Sequence, residues 1–194
     1  MSKIKIVGIG SDGISVIDKF LKINSFDVDT IAIDISDFDL NRCSAKIKIN
    51  IAKGEMLGLD GGSPQRSENF AIKHYEELSN LLRDAEFVIT VAFLSSDDGS
   101  GVSPVIANIA KNIGARSIAI ACMPFYFEGE RRNKKALDSL IKLNSAADYV
   151  FKIDLNFVVY ICNPKTSMTK IFDIIYKFVA EDIQKILNYR LMLS

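Results

Sequence analysis

Residues 86–110 read EFVITVAFLSSDDGSGVSPVIANIA, and this stretch decides the fold class. An apolar run comes first, small and acidic residues follow, and a helical pattern ends the stretch. A strand that leads through a glycine-containing loop into a helix is typical of α/β proteins that hold phosphate, because the first N–H groups of a helix are unpaired. Here Asp97 and Asp98 place two carboxylates where an anion would need positive potential. The stretch therefore predicts a loop with the shape of a phosphate-binding loop but with two negative charges that would repel a phosphate.

The same alternation of short β-rich runs and helical stretches continues along the chain. Besides the central strand, the predicted strands are Lys3–Ile9, Thr30–Ile35, Ala45–Ile51, Ser117–Ala121, Tyr149–Ile153 and Val158–Cys162. Helices are predicted after Gly13, near Tyr75–Leu82, at Val102–Ile113, from the basic run 130–135 and over about residues 167–190, whereas Gly54–Ser67 is expected to be a loop. Regular alternation predicts an α/β fold, a three-layer Rossmann-like parallel sheet with helices on both faces.

The length of 194 residues favours one domain over residues 1–194, without a second domain. Its last part is a long helix with an apolar stripe on one side and polar residues on the other. We therefore expect residues 1–194 to fold as a self-contained unit.

The amino-acid composition argues against several classes of binding partner. The 24 basic and 24 acidic residues balance, so the charge gives no reason to expect nucleic acid binding. The three cysteines are widely spaced, which indicates reduced thiols and no metal site. The amino terminus enters a strand at once and no apolar run is long enough to span a bilayer, so we expect no membrane insertion and a cytoplasmic location.

A second glycine motif lies near the amino terminus. Gly8-Ile9-Gly10-Ser11-Asp12-Gly13 fits the G-x-G-x-x-G pattern between a strand and a helix, and Asp34 ends the next strand. Taken alone, this is the fingerprint of a dinucleotide site, with the acid on the ribose. Other nucleotide folds use similar loops, and a glycine turn without any ligand is the plain alternative.

The acids of the central loop also have two interpretations. Asp97, Asp98 and Ser100 are residue types that cap a helix, where each cap contributes about 1 kcal/mol. The other interpretation is an Mg²⁺ ion held between Asp97, Asp98 and a phosphate. Capping explains the residue types by itself. The basic run Arg131–Lys135 is likewise either a solvated helix face or an anion site.

Two further motifs place the chain beside a known family. Gly99-Ser100-Gly101 is followed by Pro104-Val105-Ile106-Ala107, and the segment 124–132 reads PFYFEGERR. Together they resemble the tubulin/FtsZ family of filament-forming GTPases, and the similarity is collinear from about Ile4 to Leu187. The resemblance implies a guanine-nucleotide fold whose glycine-rich loops hold the phosphates.

The resemblance also implies a set of ligand-binding residues. They are Gly8, Gly10, Ser11, Asp12, Gly13, Ser15, Asp97, Asp98, Gly99, Ser100, Gly101, Glu128, Arg132 and Phe172. Leu57-Gly58 and Gly61–Pro64 look like the family's loop around the terminal phosphate.

This chain departs from the family at several of these positions. Ser11, Asp12 and Ile14 stand where the family has glycines, Asp97 replaces a glycine and Asp98 a threonine. Tyr176 stands where an asparagine or aspartate normally reads guanine. No catalytic residue is assigned, and the family's acidic catalytic loop is not expected in this chain.

Three functions are compatible with these residues. The first is a divergent FtsZ-like protein with eroded phosphate loops, inefficient in GTP hydrolysis, that acts as a binding or regulatory partner in cell division. Its partner would be an FtsZ-type filament or a second copy. The second is a GTP- or GDP-binding domain, with or without Mg²⁺, that hydrolyses GTP slowly. The third is an NAD-binding oxidoreductase domain, so the ligand is GTP, GDP, NAD or none.

Overall fold

A six-stranded parallel sheet forms the centre of the protein. The structure, a computed structural model, describes residues 3–54 and 62–193, with side chains described as far as residue 189. The strands are β1 (Ile4–Ile9), β2 (Asp29–Asp34), β3 (Ile47–Asn50), β4 (Phe87–Phe93), β5 (Arg116–Met123) and β6 (Tyr149–Asp154). Their order is β3-β2-β1-β4-β5-β6, and every neighbouring pair is parallel. The order changes direction between β1 and β4, which is where ligands collect in such sheets.

Helices lie between the strands, and two more follow the last strand. They are α1 (Gly10–Ile23), α2 (Asp37–Arg42), α3 (Pro64–Lys73), α4 (Tyr75–Leu82), α5 (Asp97–Asn112), α6 (Glu130–Ala146), α7 (Asn156–Ile161) and α8 (Met168–Leu193). A short 3₁₀ turn, Tyr126–Glu128, precedes α6. None of the helices in the described residues is both long and apolar enough to cross a membrane.

Alternate strand residues supply the core on each face of the sheet. On one face, Ile6 and Ile120 pack in a cluster with residues of α1 and α8, such as Phe20 and Ile183. On the other, Val7 belongs to a cluster built largely with α3, α4 and α5, and a smaller cluster lies under α6. Burying each such side chain contributes about 1.5–3 kcal/mol. The strands are apolar on both faces because both faces are covered, which confirms the predicted three-layer α/β fold.

Four local predictions were wrong, and one of them is the start of the first helix, since α1 begins at Gly10 and not after Gly13. The run Val158–Cys162 is not a strand, since residues 156–161 form α7 and Phe157 of that helix packs on Phe178 of α8 with ring centres 5.3 Å apart. A short apolar run fits a buried strand and a buried helix equally well. Residues 64–67 are not loop but the start of α3, which Pro64 and the side chain of Ser63 initiate.

The fourth correction concerns the central motif. Asp97 to Gly101 form the first turn of α5 and not a loop, so the helix begins five residues before the predicted start at Val102. The hydroxyl of Ser96 accepts a hydrogen bond from the backbone N–H of Gly99 at 2.9 Å, which is the geometry of an N-cap. Glycines within the motif hid the helical pattern, because glycine is a poor helix former.

Candidate functional site

Two helices begin side by side at the carboxyl edge of the sheet. α1 follows β1 and α5 follows β4, and these two strands are neighbours. A Cβ atom built on Gly10 would lie 3.6 Å from the Cβ of Asp98 and 3.6 Å from the hydroxyl of Ser96. The structure therefore brings the two predicted glycine motifs together at the point where the strand order changes direction.

The glycines of the first motif have different structural roles. Gly10 opens α1 with φ of 70°, a backbone angle that glycine adopts readily. A Cβ on Gly8 would lie 2.5 Å from the carbonyl oxygen of Gly13, and a Cβ on Gly13 would lie 2.8 Å from that of Val91. Gly8 and Gly13 are thus required for close packing of α1 on the strands.

The first turn of α1 carries one partly buried acid, Asp12. The hydroxyl of Tyr176, on α8, donates to Asp12 Oδ1 at 2.5 Å. Burial raises the pKa of Asp12, the hydrogen bond from Tyr176 opposes this, and the negative charges of Glu128 and Asp39 add to the rise. Ile9, the N-cap residue, has no side-chain oxygen to offer the N–H groups of this turn. Ser15 donates to the carbonyl oxygen of Ser11 within the helix.

Close contacts also account for the two glycines in the first turn of α5. A Cβ on Gly99 would lie 2.2 Å from the carbonyl oxygen of Phe93. A Cβ on Gly101 would lie 2.1 Å from that of Pro64, at the start of α3. Ser100 is buried and donates to the carbonyl oxygen of Leu94 at 2.8 Å. These three predicted ligand residues therefore serve contacts within the protein.

The two acids of this turn have partners on other helices. Lys135 Nζ of α6 donates to Asp97 Oδ1 at 2.6 Å. The other oxygen of Asp97 lies against Gly62, because a Cβ on that glycine would come within 2.4 Å of it. Ser67 of α3 donates to Asp98 Oδ1 at 2.6 Å, and burial raises the pKa of Asp98. Both carboxylates are held by hydrogen bonds within the chain.

A further acid lies at the end of β2. Burial raises the pKa of Asp34 to about 6, a hydrogen bond from the backbone N–H of Ser36 opposes the rise, and the charges of Asp98 and Asp39 add to it. The edge between α1 and α5 thus brings together one buried carboxyl group, Asp34, and two partly buried ones, Asp12 and Asp98. Within the described residues, no group of three or more His, Cys, Asp or Glu side chains is arranged to hold a metal ion.

The aromatic segment after β5 forms the neighbouring part of the site. Glu128 Oε1 accepts from the backbone N–H of Phe125 at 2.9 Å, and its Oε2 accepts from Arg132 Nη1 at 3.0 Å. Phe172 packs edge-on against Phe125 at 5.9 Å between ring centres, and its ring centre is 5.8 Å from that of Tyr176. Glu128 and Arg132 are therefore paired with each other, while Phe172 joins this segment to the tyrosine that holds Asp12.

An open cleft of about 530 Å³ runs along the first turns of α8. Phe172 and Tyr176 line it together with Ser167, Thr169, Lys170 and Asp173. Aromatic faces beside polar groups are suited to a flat heterocycle.

Several partners in this site were not predicted from the sequence. Lys135 and Ser67 lie 38 and 31 residues away from the acids that they hold, and Tyr176 lies 164 residues from Asp12. No local pattern marks such pairs. Of the predicted terminal-phosphate loop, Leu57-Gly58 and Gly61 lie outside the described residues, and Gly62, Ser63 and Pro64 lie inside them.

A parallel sheet with two helices whose first turns contain glycine motifs at the switch point, beside an aromatic cleft, is the architecture of nucleotide-binding α/β domains. The chain belongs to the tubulin/FtsZ family, because the family model for the tubulin/FtsZ GTPase domain matches residues 3–163. The resemblance of the motifs is thereby confirmed.

Individual relatives agree with this assignment. The cell division protein FtsZ of Aquifex aeolicus (strain VF5) is 33% identical over 147 residues, which are 75% of this chain and 40% of that protein. The solved FtsZ dimer of M. jannaschii matches with a TM-score of 0.86 and 29% identity, covering 94% of this chain and 53% of that chain. CetZ from Methanosaeta thermophila strain DSM 6194, at 20% identity and a TM-score of 0.79, covering 97% of this chain and 54% of that chain, shares the fold. The chain thus spans about half the length of these relatives.

Proposed function

We propose that this protein is a divergent FtsZ-like domain with weak affinity for guanine nucleotides, and that it acts as a binding or regulatory partner of a division filament. One observation carries the proposal: Asp97 and Asp98 fill the first turn of α5 and are held there by Lys135 and Ser67. The family match favours this function and the slow-GTPase alternative over an NAD-dependent oxidoreductase.

The α5 side of the site does not fit a triphosphate. Helix N-termini attract anions through unpaired N–H groups and the helix dipole. Here two carboxylates stand in that turn, held by Lys135 and Ser67, and Gly99 N–H is bonded to Ser96. Two like charges about 4 Å apart repel by roughly 4 kcal/mol at an effective dielectric of about 20. That is half of a micromolar binding free energy of about 8 kcal/mol.

The α1 side and the aromatic cleft fit a nucleotide better. The N-cap residue Ile9 leaves the first N–H groups of α1 without a side-chain acceptor from that position. Phe172 and Tyr176 provide aromatic surface for a base. This supports the second candidate, a domain that binds GTP or GDP and hydrolyses GTP slowly, since residual affinity would come from this half of the site.

Calorimetric titration with GTP, GDP, ATP and NAD, each with and without Mg²⁺, tests the proposal. We expect weak binding of GTP and GDP, and a gain of at least about tenfold in the Asp97→Gly/Asp98→Thr variant, because a repulsion of roughly 1.4 kcal/mol or more is removed. The matched control is Glu76→Gln/Glu77→Gln, which removes two charges from the first turn of α4. Tight GTP binding by the unmodified protein would contradict the proposal, as would equal gains in both variants.

The partner is tested separately. Purified FtsZ, assembled with GTP, is pelleted in the presence of this protein, and its GTP turnover is measured at rising concentrations of the added chain. We expect co-pelleting or a change in turnover. Absence of both, in a sample that is folded by circular dichroism, would refute the regulatory role and leave the nucleotide result standing.

A further inference from the structure

β6 is an edge strand with large apolar side chains exposed on it. Tyr149 and Phe151 are 56% and 50% exposed, and β6 ends the strand order of the sheet. Edge strands of this kind are ready to pair with another strand, and proteins usually shield them with charges, proline or bulges. β6 is six residues long and pairs in continuous register with β5.

The backbone groups of β6 alternate between facing β5 and facing away from the sheet. The N–H of Asp148 donates to the carbonyl oxygen of Ser117 at 3.0 Å, so Asp148 faces the rest of the sheet. Backbone groups of successive residues in a strand point to opposite sides. Those of Val150 and Lys152 therefore face β5 as well, whereas those of Tyr149, Phe151 and Ile153 face outward.

We propose that β6 pairs with β6 of a second copy of this chain, antiparallel and about a two-fold axis that passes between the two Val150 residues. In this register Tyr149 of each copy lies opposite Phe151 of the other, and the outward backbone groups of these residues exchange hydrogen bonds. Each interface then has two aromatic cross-strand pairs. A surface that complements itself about a two-fold axis is what a closed dimer requires.

The charges beside and within β6 favour a second copy of the chain as the partner, and they favour one register of the strand pair. With the axis at Val150, Lys152 of each copy lies opposite Asp148 of the other, the residue just before β6, and both side chains are exposed. Asp148 Oδ2 accepts from the Ser117 N–H of its own chain at 2.9 Å, so its Oδ1 is the oxygen that would meet the partner's lysine. With the axis at Phe151, Asp148 would face Asp154, and with the axis at Lys152 the two lysines would face each other. Like charges directly opposite destabilise a strand pair. The Val150 register is the one of these three that pairs opposite charges.

A groove beside β6 adds apolar surface to this edge. It has a volume of about 480 Å³, lies between β6 and α8, and is lined by Phe151, Ile153, Ile186 and Tyr189 among others. Tyr149 of the second copy would stand next to Phe151 on this same face, because both side chains point to the α8 side of the sheet. The groove thus extends the contact beyond the two strands.

Sedimentation equilibrium of the full chain over a wide concentration range tests the dimer. We expect reversible dimerisation that is unaffected by GTP, and at least about a tenfold rise in the dissociation constant for Phe151→Asp. Tyr160→Asp is the matched control, since Tyr160 is 82% exposed on α7 and is not part of β6. A protein that is monomeric throughout, or a dimer that Phe151→Asp leaves unchanged, overturns the proposal. Neither result depends on whether nucleotide binds.

Disulfide trapping tests the register. In a Cys162→Ser background, Val150→Cys should form a covalent dimer under mild oxidation, because residues on the axis lie about 4.5 Å apart between Cα atoms. Tyr149→Cys is the control, since the two copies of that residue would lie beyond the reach of about 7 Å. Equal trapping of both variants, or trapping of Tyr149→Cys alone, overturns the register.

Discussion

The first turns of α1 and α5 lie side by side, yet they are completed in different ways. α5 has a serine N-cap, two acids, and a lysine from α6 that compensates one of them. α1 has an isoleucine N-cap and one partly buried acid, Asp12, which a tyrosine hydroxyl holds. Both turns contain glycines that pack against backbone, and both contain acids that are held by side chains of other helices. Close packing accounts for the glycines of each motif, and hydrogen bonds to other helices account for its acids.

The largest expected effect concerns a packing glycine. Gly101→Ala should destabilise the protein by about 2–3 kcal/mol, since the new Cβ would lie 2.1 Å from the carbonyl oxygen of Pro64 and 2.8 Å from the N–H nitrogen of Glu68. Gly13→Ala should cost less, because its closest contact is 2.8 Å. Urea unfolding followed by circular dichroism measures both.

Gly114→Ala is the control for backbone strain. Gly114 has φ of 80° with no atom within 4 Å of a built Cβ, so its cost of about 1 kcal/mol is conformational. If Gly101→Ala is no more destabilising than Gly114→Ala, the close packing of α3 on α5 does not explain why residue 101 is glycine.

The next largest effect is expected in α1. Tyr176→Phe removes the hydroxyl that donates to Asp12 and leaves a partly buried carboxylate with one partner fewer, which costs about 1–3 kcal/mol at pH 7.5. Tyr160→Phe, on the surface of α7, should change the free energy of unfolding by less than about 0.5 kcal/mol. Equal stability of the two variants would show that Asp12 does not depend on this hydrogen bond.

Much of this arrangement could be predicted from the sequence, and the reasons differ by element. The strands and the positions of the two motifs follow from apolar periodicity and glycine spacing, which are local. The start of α5 at Asp97 was missed because glycines mask helical pattern, although Ser96 followed by two acids is a cap signal. Lys135, Ser67 and the Tyr176–Asp12 contact depend on tertiary packing and leave no local trace.

A smaller effect is expected from pH. Burial raises the pKa of Asp34 to about 6, above its ordinary value of 3.8, so the folded state binds a proton that the unfolded state has already released. Its contribution is therefore full below pH 3.8, declines above that and is lost as the pH rises through 6, so part of the loss falls between pH 5 and 7.5. Asp34→Asn should reduce the fall in unfolding free energy between pH 5 and 7.5 by about 1 kcal/mol or less, after solvent screening. Burial raises the pKa of Asp12 and Asp98 too, so part of the slope stays. An unchanged slope would contradict the assignment.

The smallest effect concerns the ion pair between Lys135 and Asp97, which the first turn of α5 has and that of α1 lacks among the described residues. The side chains of Lys135 and Asp97 are 29% and 27% exposed, so their coupling should be about 0.5 kcal/mol and should weaken in high salt. A double-mutant cycle with Lys135→Met, Asp97→Asn and the double variant measures it by urea unfolding. Lys142→Met removes a lysine paired with Glu68 and serves as the control. A coupling of zero would mean that Lys135 does not stabilise Asp97, so that neither turn has a cation that offsets its acids. The first turn of α5 would then be stabilised by the Ser96 cap and by the hydrogen bond from Ser67 to Asp98.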